Sequence, residues 1–326
     1  MGKIKVVCLD DYQDVVRDCG PWDELADRIE LVTSTEHVPE PDRLAALLAG
    51  AEVVVAMRER TPFDRDLLER LPDLRLLVTK GMWNAAIDLE AARERGVVVS
   101  GTLNAGSPTV ELTWTLILAL VRDLLGQERS VRDGGWQRGL GGEVAGRTLG
   151  VIGLGRLGSK VATIGQAFGM DVVAWSQNLR PEVAAEQGVR AVTKDELLAT
   201  SDVVTLHLKL SERSMGVIGA AELAAMKSTA FLVNTSRGPL VDEAALLDAL
   251  RDGQIAGAGL DVYDVEPLPK GHPLRSAPNT VLTPHVGYVT QESYAHHFTQ
   301  VVEGIRAWLD GAPVRVMNDD GSEGSS

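Results

Sequence analysis

Three apolar runs in the C-terminal half of this sequence are each followed by a polar residue of a type that does chemistry. The stretches VNTSRGPLVDE, GLDVYDVEPLP and VLTPHVGY contribute Arg237, Glu266 and His285, respectively. Each run has the composition of a β-strand, and α/β sheets bind their ligands beyond the carboxyl ends of their strands. We therefore expect these three residues to belong to one polar site.

An arginine, a glutamate and a histidine together suit the reduction of a 2-keto acid. The planar guanidinium of Arg237 can hold the carboxylate and the neighbouring carbonyl. Hydride addition to that carbonyl creates an alkoxide, which His285 can protonate because histidine titrates near neutral pH. Glu266, on the other imidazole nitrogen, would orient the ring and favour its charged form. Taken one at a time, Arg237 and Glu266 could instead be a structural ion pair, and His285 could cap a strand.

A glycine-rich turn in the stretch TLGVIGLGRLGSKVA predicts a dinucleotide site. Gly153, Gly155 and Gly158 follow an apolar strand and precede a helix, and a further strand follows at the spacing of a βαβ unit. Gly153 permits a tight turn, Gly155 lets the backbone approach a pyrophosphate, and Gly158 allows close packing of helix and strand. Arg156 and Leu157 open the helix, whose N-terminus attracts phosphates. The alternative, a glycine-rich turn without a ligand, is disfavoured by this context.

The residue that follows the next strand bears on which dinucleotide binds. In DVVAWSQN the place usually taken by an acidic residue holds Ser176, flanked by Gln177 and Asn178. An acidic residue there would bind the ribose hydroxyls of NAD and repel the 2′-phosphate of NADP, whereas serine removes the repulsion. Arg180 is the nearest cation, and it could equally be a surface residue. The sequence favours NADP or dual use slightly over NAD.

Histidines other than His285 have less specific patterns. His207 ends a strand on the predicted cofactor side, and its apolar neighbours also suit a structural role. His37, His272, His296 and His297 are interpreted as surface or structural residues.

Taken together, these stretches resemble the D-isomer-specific 2-hydroxyacid dehydrogenase family over about residues 50–310. The motifs GLGRLG, NTSRGPLVDEAAL, GAGLDVYDVEPLP and TPHVGY occur in the family's order. The resemblance implies that Arg237 binds the substrate and polarises its carbonyl, that His285 is the acid and base, and that Glu266 is its partner.

The resemblance also implies the cofactor contacts and the domain plan. Asp261 would hold the nicotinamide carboxamide, with Thr235 and Gly287 nearby. A substrate domain would be built from both chain ends with a cleft beside it, and homodimers would form through the nucleotide-binding domain. The expected domains are a discontinuous substrate domain of residues 1–104 and 288–316, a dinucleotide-binding Rossmann domain of residues 105–287, and a disordered tail of residues 317–326.

The family's substrate carboxylate meets backbone N–H groups of a glycine-containing loop, which TKGMWNAAID matches here. The residues that would then line the substrate are Lys80, Gly81, Met82, Trp83 and Asn84.

A second anionic group on the substrate would need its own cation. Arg58 stands where relatives that resemble phosphoglycerate dehydrogenase carry an anion-binding arginine, so our hypothesis is that Arg58 or Lys80 reads such a group. Solvated surface charges are the open alternative for both residues. Tyr288 and Trp83 add bulk to the substrate site.

Almost throughout the chain, short β-branched runs alternate with helical patterns, which indicates α/β architecture with two Rossmann-like or flavodoxin-like parallel sheets. A long apolar helix should begin after Ser107, with Pro108 in its first turn, and end at Gly126; it should be buried between domains or subunits. The predicted strands are 4–9, 29–32, 53–57, 74–78, 97–100, 148–152, 171–175, 202–206, 230–234, 255–260 and 280–282.

Composition narrows the partners. The chain has 32 basic and 46 acidic residues, a net charge of −14, which disfavours nucleic acid and anionic membranes. No signal peptide or membrane span is expected, and Cys8 and Cys19 have neither disulfide nor metal-ligand spacing, so we expect a reduced, cytoplasmic enzyme without a metal. The alternative on the same fold is an NAD-sensing corepressor.

Overall fold

The computed structural model describes residues 2–103 and 106–319. The chain divides into two compact units, the first formed by Met1–Gly106 with Val289–Ser326 and the second by Ser107–Tyr288. Each unit is built around one parallel β-sheet.

The first unit contains a five-stranded sheet in the order β2-β1-β3-β4-β5, which is a flavodoxin-like arrangement. Every residue of the central strands β3 and β4 is buried, because helices cover both faces of a doubly wound sheet. The strands are β1 (Ile4–Cys8), β2 (Ile29–Thr33), β3 (Val53–Ala56), β4 (Leu76–Thr79) and β5 (Val98–Ser100).

The second unit contains a seven-stranded parallel sheet in the order β12-β11-β10-β9-β6-β7-β8. The chain order reverses beside β6, which creates the topological switch point where doubly wound sheets bind ligands. The predicted α/β class with two parallel sheets is confirmed. The strands are β6 (Thr148–Ile152), β7 (Asp171–Trp175), β8 (Arg190–Ala191), β9 (Val203–Leu206), β10 (Phe231–Asn234), β11 (Gly257–Leu260) and β12 (Thr280–Leu282).

Helices connect the strands in both units. Those of the first unit are α1 (Val16–Cys19), α2 (Pro41–Leu47), α3 (Arg65–Glu69), α4 (Leu89–Glu94) and, after the second unit, α12 (Gln291–Leu309). Those of the second unit are α5 (Pro108–Val121), α6 (Leu124–Arg132), α7 (Arg156–Ala167), α8 (Pro181–Ala185), α9 (Lys194–Thr200), α10 (Ala220–Ala225) and α11 (Glu243–Arg251).

The predicted end of the long apolar helix at Gly126 is wrong. Helix α5 ends at Val121, and Asp123 turns the chain with a left-handed φ of 47° before α6 begins. Gly126 lies inside α6, where a Cβ would stand 2.3 Å from Oδ1 of Asp123. The glycine therefore accommodates the Asp123 carboxylate. Helix α5 is buried within its own unit, against β10, β11 and α7, because its apolar surface packs on the sheet.

The predicted tail begins too early. Met317 donates its N–H to the Val99 carbonyl at 2.7 Å, and the Asn318 side chain bonds the backbone of Val99 at 3.0 Å and of Val97 at 2.8 Å. These bonds occupy the free edge of β5, which would otherwise expose its polar backbone. Residues 320–326 of the predicted tail lie outside the described residues.

Candidate active site

The glycine turn after β6 has the geometry that a dinucleotide requires. Gly153 has a φ of +100°, and a Cβ there would stand 2.8 Å from the backbone of His207. A Cβ on Gly158 would stand 2.0 Å from the Gly153 carbonyl oxygen, whereas one on Gly155 would meet nothing within 4 Å. The space beside Gly155, in front of the first N–H groups of α7, fits a pyrophosphate.

A cavity of about 470 Å³ adjoins this turn at the carboxyl edge of the sheet. Arg156 and Leu157 open α7 and are not among the residues that line it. Lys209 and Arg213, on the loop that follows β9, also line it and were not predicted; their signal was the basic stretch HLKLSERS directly after a strand. The predicted cofactor residues that line the cavity are Gly153, Gly155, Ser176, Gln177, Asn178, Arg180 and His207.

His207 forms part of the cavity wall. Its Nε2 lies 3.0 Å from the Thr205 hydroxyl, and within the described residues Nδ1 has no hydrogen-bond partner. Burial lowers the pKa of His207 to about 4, so the ring is neutral at pH 7. His207 therefore adds no charge to the cavity.

The predicted acid–base pair is in direct contact. His285 Nδ1 lies 2.5 Å from Glu266 Oε2, and Glu266 Oε1 accepts the Tyr263 N–H at 3.0 Å. The Tyr288 ring lies edge-on to the imidazole, with 5.5 Å between ring centroids. With Nδ1 committed to the carboxylate, Nε2 is the ring nitrogen left to exchange a proton with a reactant.

Asp261 fixes the loop that carries His285. Its carboxylate accepts hydrogen bonds from the Thr283 hydroxyl at 2.6 Å, the Val286 N–H at 2.8 Å and the Gly287 N–H at 2.9 Å. Burial raises the pKa of Asp261, and the bonds from Thr283 and Val286 oppose that rise. These bonds hold His285 in its left-handed conformation, with a φ of 53°.

Arg237 lies on a tight turn after β10. The Asn234 side chain donates to the Arg237 carbonyl at 2.8 Å and accepts the Ser236 N–H at 3.0 Å. Gly238 packs against the backbone of Tyr263, where a Cβ would meet the carbonyl carbon at 2.1 Å. The Arg237 turn is thereby packed against the segment that leads to Glu266.

The second unit therefore brings the predicted catalytic residues to one sheet edge, since β10, β11 and β12 are neighbours and Arg237, Glu266 and His285 follow them in turn. Thr235, at the same edge, is buried, and its hydroxyl lies 2.8 Å from that of Thr113. Asn234 and Tyr263 were missed by sequence reasoning, because each acts through its backbone or a local turn.

In the first unit, the alternative of a solvated surface charge is wrong for Lys80, which is only 4% exposed. Its ammonium donates to the Ser293 hydroxyl at 3.0 Å and to the Ser293 carbonyl at 3.2 Å. Burial, together with the nearby Arg58, lowers the pKa of Lys80 to about 8. Arg58 has a left-handed φ of 56°, and its Nε lies 3.6 Å from a Glu59 carboxylate oxygen.

The loop of Gly81–Asn84 is held by its own polar groups. The Gly81 N–H donates to the Thr102 hydroxyl at 3.2 Å. Asn84 is buried, and its side chain donates to the Arg58 carbonyl at 2.7 Å, which fixes the loop. Met82 and Trp83 are 43% and 51% exposed.

Other histidines have partners of their own. His37 contacts Asp10 at 2.9 Å, and His272 contacts Glu243 at 2.9 Å. His297 is buried against the Thr102 hydroxyl, so of the two interpretations, surface or structural, it is structural.

Neither a metal site nor a membrane span is found over residues 2–103 and 106–319. No group of three or more His, Cys, Asp or Glu residues in this range is placed to hold a metal ion. No helix in the same range is both long and apolar enough to cross a membrane. Cys8 and Cys19 are both free.

Comparison with known proteins gives a consistent result. Residues 114–287 match the family described as D-isomer specific 2-hydroxyacid dehydrogenase, NAD binding domain. The chain is 40% identical over 266 residues to a glyoxylate reductase from Aeropyrum pernix, covering 78% of this chain and 79% of that protein.

Solved structures resemble the whole chain. A phosphoglycerate oxidoreductase from Vibrio cholerae O395 is 35% identical, with a TM-score of 0.90 over 95% of this chain and 100% of that chain. A D-lactate dehydrogenase from Aquifex aeolicus, in complex with NAD and lactic acid, is 29% identical, with a TM-score of 0.78 over 94% and 96% of the two chains.

Proposed function

Because this chain belongs to the D-isomer-specific 2-hydroxyacid dehydrogenase family, we propose that it reduces a small 2-keto acid to the D-2-hydroxy acid with a nicotinamide coenzyme. The observation that carries the proposal is the 2.5 Å contact between His285 Nδ1 and Glu266, at the same sheet edge as Arg237. The similarity to a glyoxylate reductase and a D-lactate dehydrogenase favours this reaction over a corepressor function.

The chain's own residues account for binding and proton transfer. The Arg237 guanidinium binds the substrate carboxylate and polarises the carbonyl oxygen. The reduced nicotinamide, when bound, supplies the hydride to the carbonyl carbon. His285 donates the Nε2 proton to the developing alkoxide, and Glu266 stabilises the ring in the orientation that this transfer needs. In the oxidative direction the same nitrogen accepts the proton.

The coenzyme would lie along the glycine turn and the adjoining cavity. Gly155 and the start of α7, with Arg156 and Leu157, would hold the pyrophosphate, and Asp261, Thr235 and Gly287 would lie at the nicotinamide end. The family's domain is an NAD-binding domain, and we propose that this member uses NADPH at least as well as NADH. Support comes from Ser176 and Arg180, and from the cavity lining, which includes no acidic residue within the described chain.

For the substrate, we propose a small 2-keto acid of the size of glyoxylate or pyruvate, since the relatives above include a glyoxylate reductase and a D-lactate dehydrogenase. Tyr288, Met82 and Trp83 would limit its side chain. The N–H groups of Gly81 and its neighbours would receive the carboxylate, and Arg58 or Lys80 would read a second anionic group where the substrate has one.

A panel of keto acids tests the function. Glyoxylate, pyruvate, hydroxypyruvate and oxaloacetate are offered with NADPH and with NADH, and absorbance is followed at about 340 nm, where the reduced nicotinamide absorbs. We expect turnover with at least one pair. Tight coenzyme binding without turnover of any keto acid would instead favour the sensing function.

We also propose a homodimer formed through the second unit. Helix α6 has no buried residue, and beyond it Trp136 and Leu140 are 74% and 102% exposed. Apolar side chains in such positions are typical of subunit contacts. The net charge of −14 and the free cysteines support a cytoplasmic protein without nucleic-acid or membrane partners.

A further inference from the structure

We propose that Lys209 and Arg213 form, with Arg180 and Ser176, a binding site for the 2′-phosphate of NADPH. The inference rests on the nicotinamide coenzyme of the proposed function and names the residues that would select its phosphorylated form. Neither Lys209 nor Arg213 belongs to the glycine turn or to the catalytic residues.

The sheet order brings these cations together. Arg180 follows β7, whereas Lys209 and Arg213 follow β9, and β7 and β9 pair with β6 on its opposite sides. The two loops therefore flank the glycine turn that ends β6. All three basic side chains line the same cavity as Ser176.

The charges of these side chains are uncompensated by the protein. Within residues 2–103 and 106–319, none of Arg180, Lys209 and Arg213 takes part in an ion pair or a side-chain hydrogen bond. Two other cations on the same unit are paired: Arg190 with Glu196 at 2.6 Å and Lys194 with Glu222 at 2.6 Å. In a chain of net charge −14, three unpaired cations around one cavity indicate an anionic ligand.

The loop that carries Lys209 and Arg213 is fixed by a buried hydroxyl. Ser214 Oγ donates to the Lys209 carbonyl at 2.7 Å and accepts the Ser211 N–H at 2.9 Å. The backbone between the two cations is thus closed into a tight turn. Both side chains consequently leave the loop from defined positions beside the cavity.

A phosphate monoester matches this set of groups. It carries a charge of about −1.5 to −2 at pH 7 and accepts several hydrogen bonds. Arginine can bind it through two N–H groups, lysine acts as a point charge, and a serine hydroxyl can donate. A ribose 2′-hydroxyl offers no charge to these cations, so the site would distinguish NADPH from NADH.

Binding without turnover tests the inference. Titration calorimetry measures the affinity for 2′,5′-ADP, which carries the 2′-phosphate, and for 5′-AMP, which lacks it. Both affinities are measured for the wild type, Lys209→Gln, Arg213→Gln and the double variant. We expect each substitution to weaken the binding of 2′,5′-ADP about 10-fold and that of 5′-AMP less than about 2-fold. Hydrogen bonds to charged groups are stronger than those between neutral groups, and only 2′,5′-ADP offers a charged phosphate at this position. Added salt should strongly weaken only the binding of 2′,5′-ADP, because salt screens the attraction between the cations and the 2′-phosphate.

The matched control is Arg251→Gln, which removes the same charge from an exposed arginine that pairs with Asp248 at 3.7 Å, outside the cavity. It should leave both affinities unchanged.

An equal effect of the loop variants on both ligands, or no effect on either, would overturn the inference. If the wild type reduces a keto acid yet binds both nucleotides equally, the inference fails and the reductase stands. Selective binding of 2′,5′-ADP without turnover of any keto acid would support the phosphate site and contradict the reductase.

Discussion

Replacing His285, which Glu266 orients, should cause a large loss of catalytic rate. With Nδ1 held by the Glu266 carboxylate at 2.5 Å, the imidazole has one nitrogen left for the substrate. We expect His285→Ala to lower kcat about 10²–10⁴-fold, the usual contribution of general acid–base catalysis. Steady-state kinetics measures this, and His272→Ala, which removes an imidazole paired with Glu243, is the control. Near-normal turnover of His285→Ala would contradict the role of His285 as the general acid and base.

Arg237 should contribute to both binding and rate. Its guanidinium would bind the substrate carboxylate in the ground state and the carbonyl oxygen more strongly as negative charge develops there. We therefore expect Arg237→Ala to raise KM and lower kcat together, as measured over a range of keto-acid concentrations. Arg251→Ala is the control at an exposed site. A change confined to KM would restrict Arg237 to binding.

The buried ammonium of Lys80 gives a pH dependence with a definite sign. Its pKa is lowered from 10.5 to about 8, so between these values the unfolded chain holds a proton that the folded chain has lost. The free energy of unfolding should therefore rise by up to about 3 kcal/mol through this interval and stay level below pH 8.

Urea unfolding of the wild type and of Lys80→Met across that interval measures the effect. The variant should be the more stable of the two below pH 8, and the difference should shrink as the pH rises. Parallel pH profiles for the two proteins would show that Lys80 does not titrate in this range.

At the level of elements, the glycines of the turn between β6 and α7 have two different roles, one in packing and one in coenzyme binding. Gly158 has no room for a Cβ, which would lie 2.0 Å from the Gly153 carbonyl oxygen, whereas Gly155 has open space. Gly158→Ala should destabilise the coenzyme-free protein by about 1–3 kcal/mol, as overpacking does.

Gly155→Ala should leave stability within about 0.5 kcal/mol while weakening coenzyme binding, because its methyl would occupy the pyrophosphate space. Thermal unfolding without coenzyme and fluorescence titration with NADPH measure the two quantities. Equal coenzyme affinity for Gly155→Ala and the wild type would place the pyrophosphate elsewhere.

For the whole molecule, the segment that includes α6 and the residues after it should decide the oligomeric state. Trp136 and Leu140 expose large apolar side chains that a second subunit would cover. We expect the double variant Trp136→Ser, Leu140→Ser to shift a dimer towards monomers, as measured by sedimentation equilibrium. Met215→Ser removes an apolar side chain that is 62% exposed elsewhere on the same unit and should leave the dimer intact. A wild-type monomer would refute the assembly.

Periodicity and local motifs predicted the elements and the catalytic residues. The strands before Arg237, Glu266 and His285 are continuous apolar runs, and parallel strands place such runs beside one another with their carboxyl ends at one edge. Local patterns were weaker at element ends. The sequence did not indicate that Asp123, rather than Gly126, breaks the long helix, since a left-handed aspartate has no strong local pattern.

The sequence by itself determined the α/β class, the glycine turn, and the set of arginine, glutamate and histidine, because each motif that identifies them consists of residues close together in the chain. Only the tertiary structure decided that Lys80 is buried and hydrogen-bonded to Ser293, and that the Asn84 side chain holds its own loop by a hydrogen bond. It also decided that Lys209 and Arg213 line the same cavity as Arg180. The last of these follows from the sheet order, which places β6 between β7 and β9. Neighbours in a doubly wound sheet are not neighbours in the chain, so charges from distant segments converge there without leaving a local pattern.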